Sequence, residues 1–178
     1  MKKIAVFGKP GSGKSILSKR LTAAAGIPLH QLDSMVYQSN GELVDRETYD
    51  RAHGNILSCE HWIIDGFGPM ASFNQRLEAA DTLIYIDLPY AVSYWLVTKR
   101  FIKGLFVKPE GWPDGSSVLK GTLASYKVLK ICPMLWNNSF AQRLEQQSAN
   151  KSLHVVRSIA ELNHFAERNV HGVTHDRC

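Results

Sequence analysis

Apolar residues in this chain occur in two arrangements, and each predicts a different element. Short unbroken runs read as buried strands, while runs in which apolar positions recur every three or four residues read as helices. Lys2 to Phe7 is a strand pattern ended by Gly8. From Lys14, "KSILSKRLTAAAG" has a helical face through Ile16, Leu17, Leu21 and Ala24, and Gly26 is its stop signal. Pro28 to Leu32 forms a second strand ending at Asp33, and a helix over about 46–59 takes Asp45 as its cap. "HWIIDGFG" predicts a strand ending at Asp65, and "TLIYIDLP" another ending at Asp87 and closed by Pro89. A helix over about 91–103 precedes the Gly/Pro-rich "KGLFVKPEGWPDGSS". Further helix between 119 and 147 is expected to break near Pro133. "SLHVVR" is the last strand, and "SIAELNHFAER" a closing helix with a capping box of Ser158 and Glu161.

Strands that are continuous apolar runs and alternate with helices predict an α/β domain, a parallel sheet covered on both faces. One unit over 1–168 accounts for the pattern, with a flexible polar tail at 169–178. Ligands of such sheets bind at the carboxyl ends of the strands. Gly8, Asp33, Asp65 and Asp87 all follow predicted strand ends, so one rim holds a glycine loop and three carboxylates. Asp87 is assigned a structural role, capping the helix after Pro89.

Composition narrows the class without deciding it. The 178 residues are 44% hydrophobic and 21% charged, as in a globular protein. No apolar run approaches the roughly 20 residues of a bilayer span, so no membrane partner is expected. "MKKIAVFGKPG" begins like a signal peptide, but its apolar part ends at Phe7 and charge and glycine follow at once. Cys59, Cys132 and Cys178 are far apart and odd in number, a usage that suits a reducing cytoplasm. The net charge is +5, and Lys99, Arg100, Lys103, Lys108, Lys120, Lys127 and Lys130 fall in one region against Glu110 and Asp114. That asymmetry reads either as a solvated surface or as a footprint for an anionic partner.

The sharpest chemistry lies in "GKPGSGKS", which fits G-x-x-x-x-G-K-[ST] between a predicted strand and a predicted helix. Glycines let the main chain curl so that N–H groups converge on phosphate oxygens. The start of the following helix adds its own donors and dipole. Gly8, Lys9, Pro10, Gly11, Ser12, Gly13, Lys14, Ser15 and Ile16 are therefore the expected contacts of a nucleoside triphosphate, ATP. Lys14 reaches its β- and γ-phosphates and Ser15 ligates Mg²⁺.

Asp65 is the second expected Mg²⁺ group, acting on the cation's water shell, with a turn role as the rival. Asp33 either takes a proton from an acceptor hydroxyl or caps a turn. Arg100 suits a lid that neutralises the moving phosphoryl group, since its fork grips two oxygens at once. Arg76, in "NQRLEAAD", binds either the acceptor's anionic group or a surface carboxylate, Glu78 or Glu42. Trp95, Trp112 and Trp136 sit in apolar settings and read as core, whereas His30, His53 and His61 read as surface or edge residues.

These blocks together resemble the small P-loop kinases of the adenylate kinase group. They are most similar to bacterial adenylate kinase-like proteins also called DNA topology modulation proteins. The likeness runs from "KKIAVFGKPGSGKS" through "LHQLD", "EHWIIDGFG", "RLEAADTLIYIDLP" and "TKR" to "HVVRSIAELNHF". It implies a three-layer P-loop NTPase fold whose five-stranded parallel sheet has the order 2-3-1-4-5. An acceptor segment at about 33–60 and a short helical lid at about 99–122 come with it. The likeness also implies that Arg157, with Ser158, lies where the adenine ring is held, and that Lys14 and Ser15 grip ATP and Mg²⁺. Asp65 and Arg100 match an aspartate and a lid arginine of the family. Asp33 joins Lys14, Asp65 and Arg100 as a catalytic candidate on the reading of the residues above. The chain departs from "DGFPR", reading Asp65-Gly66-Phe67-Gly68-Pro69, and Leu96 replaces a lid arginine. Two cationic contacts are thus missing unless Arg76, Lys99 or Lys103 replaces them. The reading is an ATP-dependent phosphotransferase, monomer or homodimer, acting on a small anionic or hydroxyl acceptor. The alternative is a nucleotide-binding regulator that affects DNA topology through its basic surface; no nucleic-acid recognition motif is present.

Overall fold

The central sheet is parallel throughout, with β1 (Lys3–Gly8) paired to β3 (Trp62–Asp65) on one side and β4 (Thr82–Ile86) on the other. β2 (Leu29–Gln31) joins β3, and β5 (Ser152–Val156) joins β4, giving the order β2-β3-β1-β4-β5. The structure is a computed structural model and describes residues 1–36, 43–106 and 118–172. The strand order is the one the family likeness implies.

Alternation along β1 shows why both faces must be covered. Ile4 and Val6 enter one core with Leu17, Leu21, Leu162 and Ala166, from α1 (Lys14–Ala25) and α8 (Ile159–Gly172). Ala5 and Phe7 enter the other, with Tyr49 of α3 (Arg46–Ser58), Phe73 and Leu77 of α4 (Met70–Ala79), and Phe140 and Leu144 of α7 (Asn138–Gln147). Trp136 stacks on Tyr85 at 5.3 Å within that second core, as its apolar setting predicts. Helix ends follow the expected signals: Gly26 closes α1 in the left-handed region, and the Asp45 carboxylate accepts from Thr48 N–H at 2.8 Å.

Several expectations are corrected. α4 has no counterpart in the sequence reading, because Arg76 occupies its inner face beside Phe73 and Leu77 and breaks the apolar stripe. After β2 the chain turns at once into α2 (Leu32–Val36), so Asp33 lies in a first helical turn. Pro133 sits inside α6 (Val118–Leu135), and the break comes later, at Asn137, whose side chain accepts from Phe140 N–H and starts α7. α8 continues to Gly172, four residues into the expected tail, and 173–178 lie outside the described residues. Trp95, on α5 (Tyr90–Gly104), is exposed and not core; Trp112 lies outside the described residues.

His53 is buried and not a surface residue, because Tyr49 and His53, four apart, share the inner face of α3 and stack at 5.9 Å. Burial, reinforced by the nearby Arg76 charge, pushes its pKa down to about 4. The unfolded chain takes up a proton near pH ~6.5, where folded His53 stays neutral, so stability falls as pH drops from there toward 4. Urea unfolding at pH 7 and at pH ~4.5 should differ by about 1–3 kcal/mol from this ring, and His53→Phe should remove that part of the slope.

Candidate active site

The loop between β1 and α1 owes its glycines first to the protein around it. Gly8 has φ 150°, and a Cβ there would lie 2.3 Å from the carbonyl oxygen of Ile86. Gly11 has φ 70°, and a Cβ there would meet the Ser93 carbonyl oxygen at 2.6 Å and Val97 Cγ2 at 2.8 Å. Glycine lets the loop lie against the end of β4 and the side of α5, a constraint additional to the room a ligand needs. Gly13 precedes α1 without any side-chain cap, and no acidic residue stands in the first turn. The amides at the start of α1 therefore carry no side-chain cap, and the positive dipole end of the helix faces the loop.

Two lysines of the loop are arranged differently. Lys14 Nζ donates to the Lys9 carbonyl at 2.8 Å, with Ser12 Oγ at 3.5 Å. Burial lowers its pKa, Asp65 and then Asp33 oppose that, and Arg100 adds to it. Lys9 is 2% exposed, and its ammonium is ion-paired to Asp87 and lies 4.5 Å from the Tyr90 ring centroid. The Lys9 side chain thus pins the loop to the end of β4. Asp87 is not a helix cap, as Pro89 starts α5 without one. Asp87→Asn leaves a buried ammonium unpaired and should destabilise by about 1–3 kcal/mol, Asp87 itself being partly solvated. Lys9→Met removes the charge with it and should cost less; chemical denaturation of both variants checks the order.

On the other side of β1, parallel pairing sets Asp65 level with Val6 and with Gln31. Ser15 Oγ donates to Asp65 Oδ2 at 2.7 Å, while Oδ1 is buried with no hydrogen-bond partner among the described residues. Burial raises the Asp65 pKa, the Lys14 charge and the Ser15 hydroxyl lower it, Asp33 raises it, and the Gln31 amide lowers it. A hydroxyl beside a carboxylate with a spare oxygen suits a hard cation that keeps part of its water shell. No three His, Cys, Asp or Glu side chains among the described residues cluster as a metal site, so a cation here would rest on Ser15 and Asp65.

Arg76 has a third role that the sequence reading did not offer. It is 1% exposed and directs its guanidinium at main chain: Nη1 to Gly66 O at 2.9 Å, Nη2 to Phe67 O, and Nε to Ser72 O at 3.4 Å. Its Cζ lies 5.5 Å from the Phe73 ring centroid, and burial lowers its pKa to about 10. Arg76 holds the loop after Asp65 through these carbonyls, and of the two carboxylates named for it Glu42 lies outside the described residues.

Asp33 is exposed at the start of α2, and its charge acts on Lys14, Asp65 and Arg100. Arg100 Nη2 donates to Ser125 Oγ of α6 at 2.8 Å. The structure thus gathers Lys14, Ser15, Asp33, Asp65 and Arg100, which stand far apart in sequence. Arg157 is exposed at the end of β5, one strand beyond β4, and its N–H donates to Glu161 Oε2 at 2.8 Å. Ser158 Oγ accepts from Glu161 N–H at 3.1 Å, so one half of the expected capping box forms, while the Glu161 carboxylate takes the Arg157 N–H in place of that of Ser158. Ile16 is 59% exposed on the first turn of α1, and Pro10 lies in the loop. Gln31 and the Lys9–Asp87 pair were missed, though both follow from residues at strand ends facing a neighbour in register.

No family model matches this chain, and no curated protein matches it by sequence. Among solved structures, a shikimate kinase from Acinetobacter baumannii in complex with shikimate is similar at TM-score 0.55 and 12% identity. That match covers 99% of this chain and 95% of the other. A gluconokinase from Sinorhizobium meliloti 1021 is similar at TM-score 0.49 and 16% identity, covering 98% and 92%. An unliganded sugar kinase from Janibacter sp. HTCC2649 follows at 0.44 and 17%, covering 98% and 93%; these two superpose too loosely to carry an argument. At such identities the likeness concerns the fold alone. Sheet order, glycine loop and superposition agree that this chain has the three-layer P-loop fold, shared over nearly its whole length with the shikimate kinase.

Proposed function

We propose that the protein is an ATP-dependent phosphotransferase that moves the γ-phosphoryl group to a small hydroxyl or nucleotide acceptor. The observation that carries this reading is the uncapped start of α1 beside Lys14 and the Ser15–Asp65 pair, with Asp33 and Arg100 on the same rim. The loop amides and Lys14 hold the triphosphate, Arg100 offers a two-pronged contact to the transferring oxygens, and Asp33 accepts the proton of the acceptor hydroxyl. Ser15 and Asp65 fit Mg²⁺, which when bound neutralises charge on the β- and γ-phosphates. Arg157 lies at the rim position proposed for the adenine ring.

With Arg76 committed to main-chain carbonyls, AMP loses the cation nearest the "DGFG" turn, and this favours a small hydroxyl compound as acceptor. The shikimate kinase sharing the fold acts on such a molecule, which accords with this choice. In this reading the acceptor segment spans about 33–60 and the lid about 99–122, with 107–117 outside the described residues. The thiols of Cys59 and Cys132 are free, in keeping with a proposed cytoplasmic location. The alternative, a regulator of DNA topology, has only the cations of α5 and α6 in its support.

The direct test is ADP release from Mg²⁺–ATP with a panel of nucleosides, nucleotides and small hydroxy acids; no stimulation by any of them would count against the proposal. Because burial holds the Asp65 carboxyl above its ordinary range, protonation competes with Mg²⁺ there at higher pH than at an exposed aspartate. Turnover should therefore fall on the acid side above pH ~4, and extra Mg²⁺ should shift that limb downward.

A further inference from the structure

The faces of α5 and α6 turned away from their mutual seam carry exposed apolar side chains that lie outside both hydrophobic cores of the described residues. The seam is made by Tyr94 stacked on Tyr126 at 5.8 Å and by the Thr98–Tyr126 hydrogen bond at 2.6 Å, and Ser93 and Val97 are buried. Trp95 and Ile102, seven residues apart on the outer side of α5, are exposed by 60% and 50%, and Phe106, in the turn just after the helix, by 84%. On α6, Leu119, Leu123 and Met134 share one stripe with Lys127 and Lys130, since these positions follow one another by three or four residues. Lys99 lies on the α5 stripe in the same way, and Met134 is 81% exposed. The two helices contain six lysines and arginines and no Asp or Glu.

We propose that this face docks on an anionic phospholipid surface, the helices lying in the interface without crossing it. Large apolar side chains interleaved with lysines are what an interfacial helix presents: the rings and aliphatic chains enter the acyl boundary while the ammonium groups stay at the headgroups. Anionic lipid complements the charge, each basic residue near the surface adding to the attraction. None of the helices among the described residues is long and apolar enough to span. A second copy of this chain would set like charges against each other, which disfavours self-association through this face. Nucleic acid would answer the lysines but leave Ile102, Leu123 and Met134 against phosphate and water. The proposal does not depend on the phosphotransfer reading.

Flotation with vesicles of phosphatidylcholine alone and of phosphatidylcholine mixed with phosphatidylglycerol tests it. At low salt the mixed vesicles should retain about tenfold more protein, and rising ionic strength should erase the difference. The double variant Lys127→Glu, Lys130→Glu should lose that retention with its circular dichroism and thermal midpoint unchanged. Leu123→Ser with Met134→Ser should weaken retention even at low salt. Equal retention on both vesicles, no retention on either, or undiminished retention of the lysine variant would overturn the proposal. It would equally fall if duplex DNA bound in place of vesicles with the same lysine dependence, or if a concentration-dependent dimer buried Trp95.

Discussion

Replacing Lys14 with alanine should abolish nucleotide turnover and leave the protein folded. Among the described residues its ammonium is hydrogen-bonded to the Lys9 carbonyl and Ser12 Oγ, contacts that serve no packing need alanine would leave unmet. Burial depresses its pKa, which means that the charged form is held at a cost to the fold that a phosphate would relieve. Lys14→Ala should therefore melt at or above the parent's temperature. A charge-assisted contact to phosphate contributes about 1.5–3 kcal/mol, so calorimetry with Mg²⁺–ATP should show roughly ten- to a hundredfold weaker binding. Turnover should fall further, by about a hundredfold or more, because charge grows on the transferring group in the transition state. Unchanged binding and turnover would remove Lys14 from the site.

Arg76→Leu should produce the largest loss of stability in the molecule. The substitution leaves the carbonyls of Gly66 and Phe67 without their guanidinium donor, the first of them in a buried contact, and removes the weaker Nε contact to Ser72 O. Orphaning a buried polar group costs about 1–3 kcal/mol, and the loss here should reach about 3–5 kcal/mol in total. For a domain of this size that corresponds to a melting point lower by roughly 6–20 °C. Arg76→Lys should recover little, because one ammonium cannot face three carbonyls from a planar fork. The loop that follows Asp65 rests on this guanidinium, so the Mg²⁺ requirement of nucleotide binding should rise in the least damaged variant. A melting point within two or so degrees of the parent's would show that other contacts hold the loop.

The correspondence between sequence and structure is closest where one local signal suffices. Asp45 before Arg46 and Ser158 with Glu161 mark helix starts by chemistry that acts over three or four residues. Unbroken apolar runs marked β1, β3 and β4 because a strand buried on both faces has no polar alternation to confuse it. α4 escaped for the opposite reason: its inner face includes an arginine, and a charged residue reads as solvent-facing until its three carbonyl partners are seen. His53 escaped likewise, since the ring of Tyr49 that covers it becomes a neighbour only once α3 is folded. Trp95 failed in the other direction, apolar in sequence context and exposed in the structure.

What the amino-acid order determined by itself was the P-loop: three glycines, a lysine and a serine between a strand and a helix, with carboxylates at the ends of other strands. Such features depend on backbone freedom and on contacts a few residues apart, so they survive without knowledge of the fold. Tertiary structure alone decided the partners. Parallel register set Gln31 beside Asp65, packing of α5 against the loop set Gly11 against Ser93 and Val97, and the depth of the second core turned Arg76 inward. Those choices depend on contacts between residues from ten to more than eighty positions apart, whose charges and hydrogen bonds take effect only after the sheet has excluded water between them.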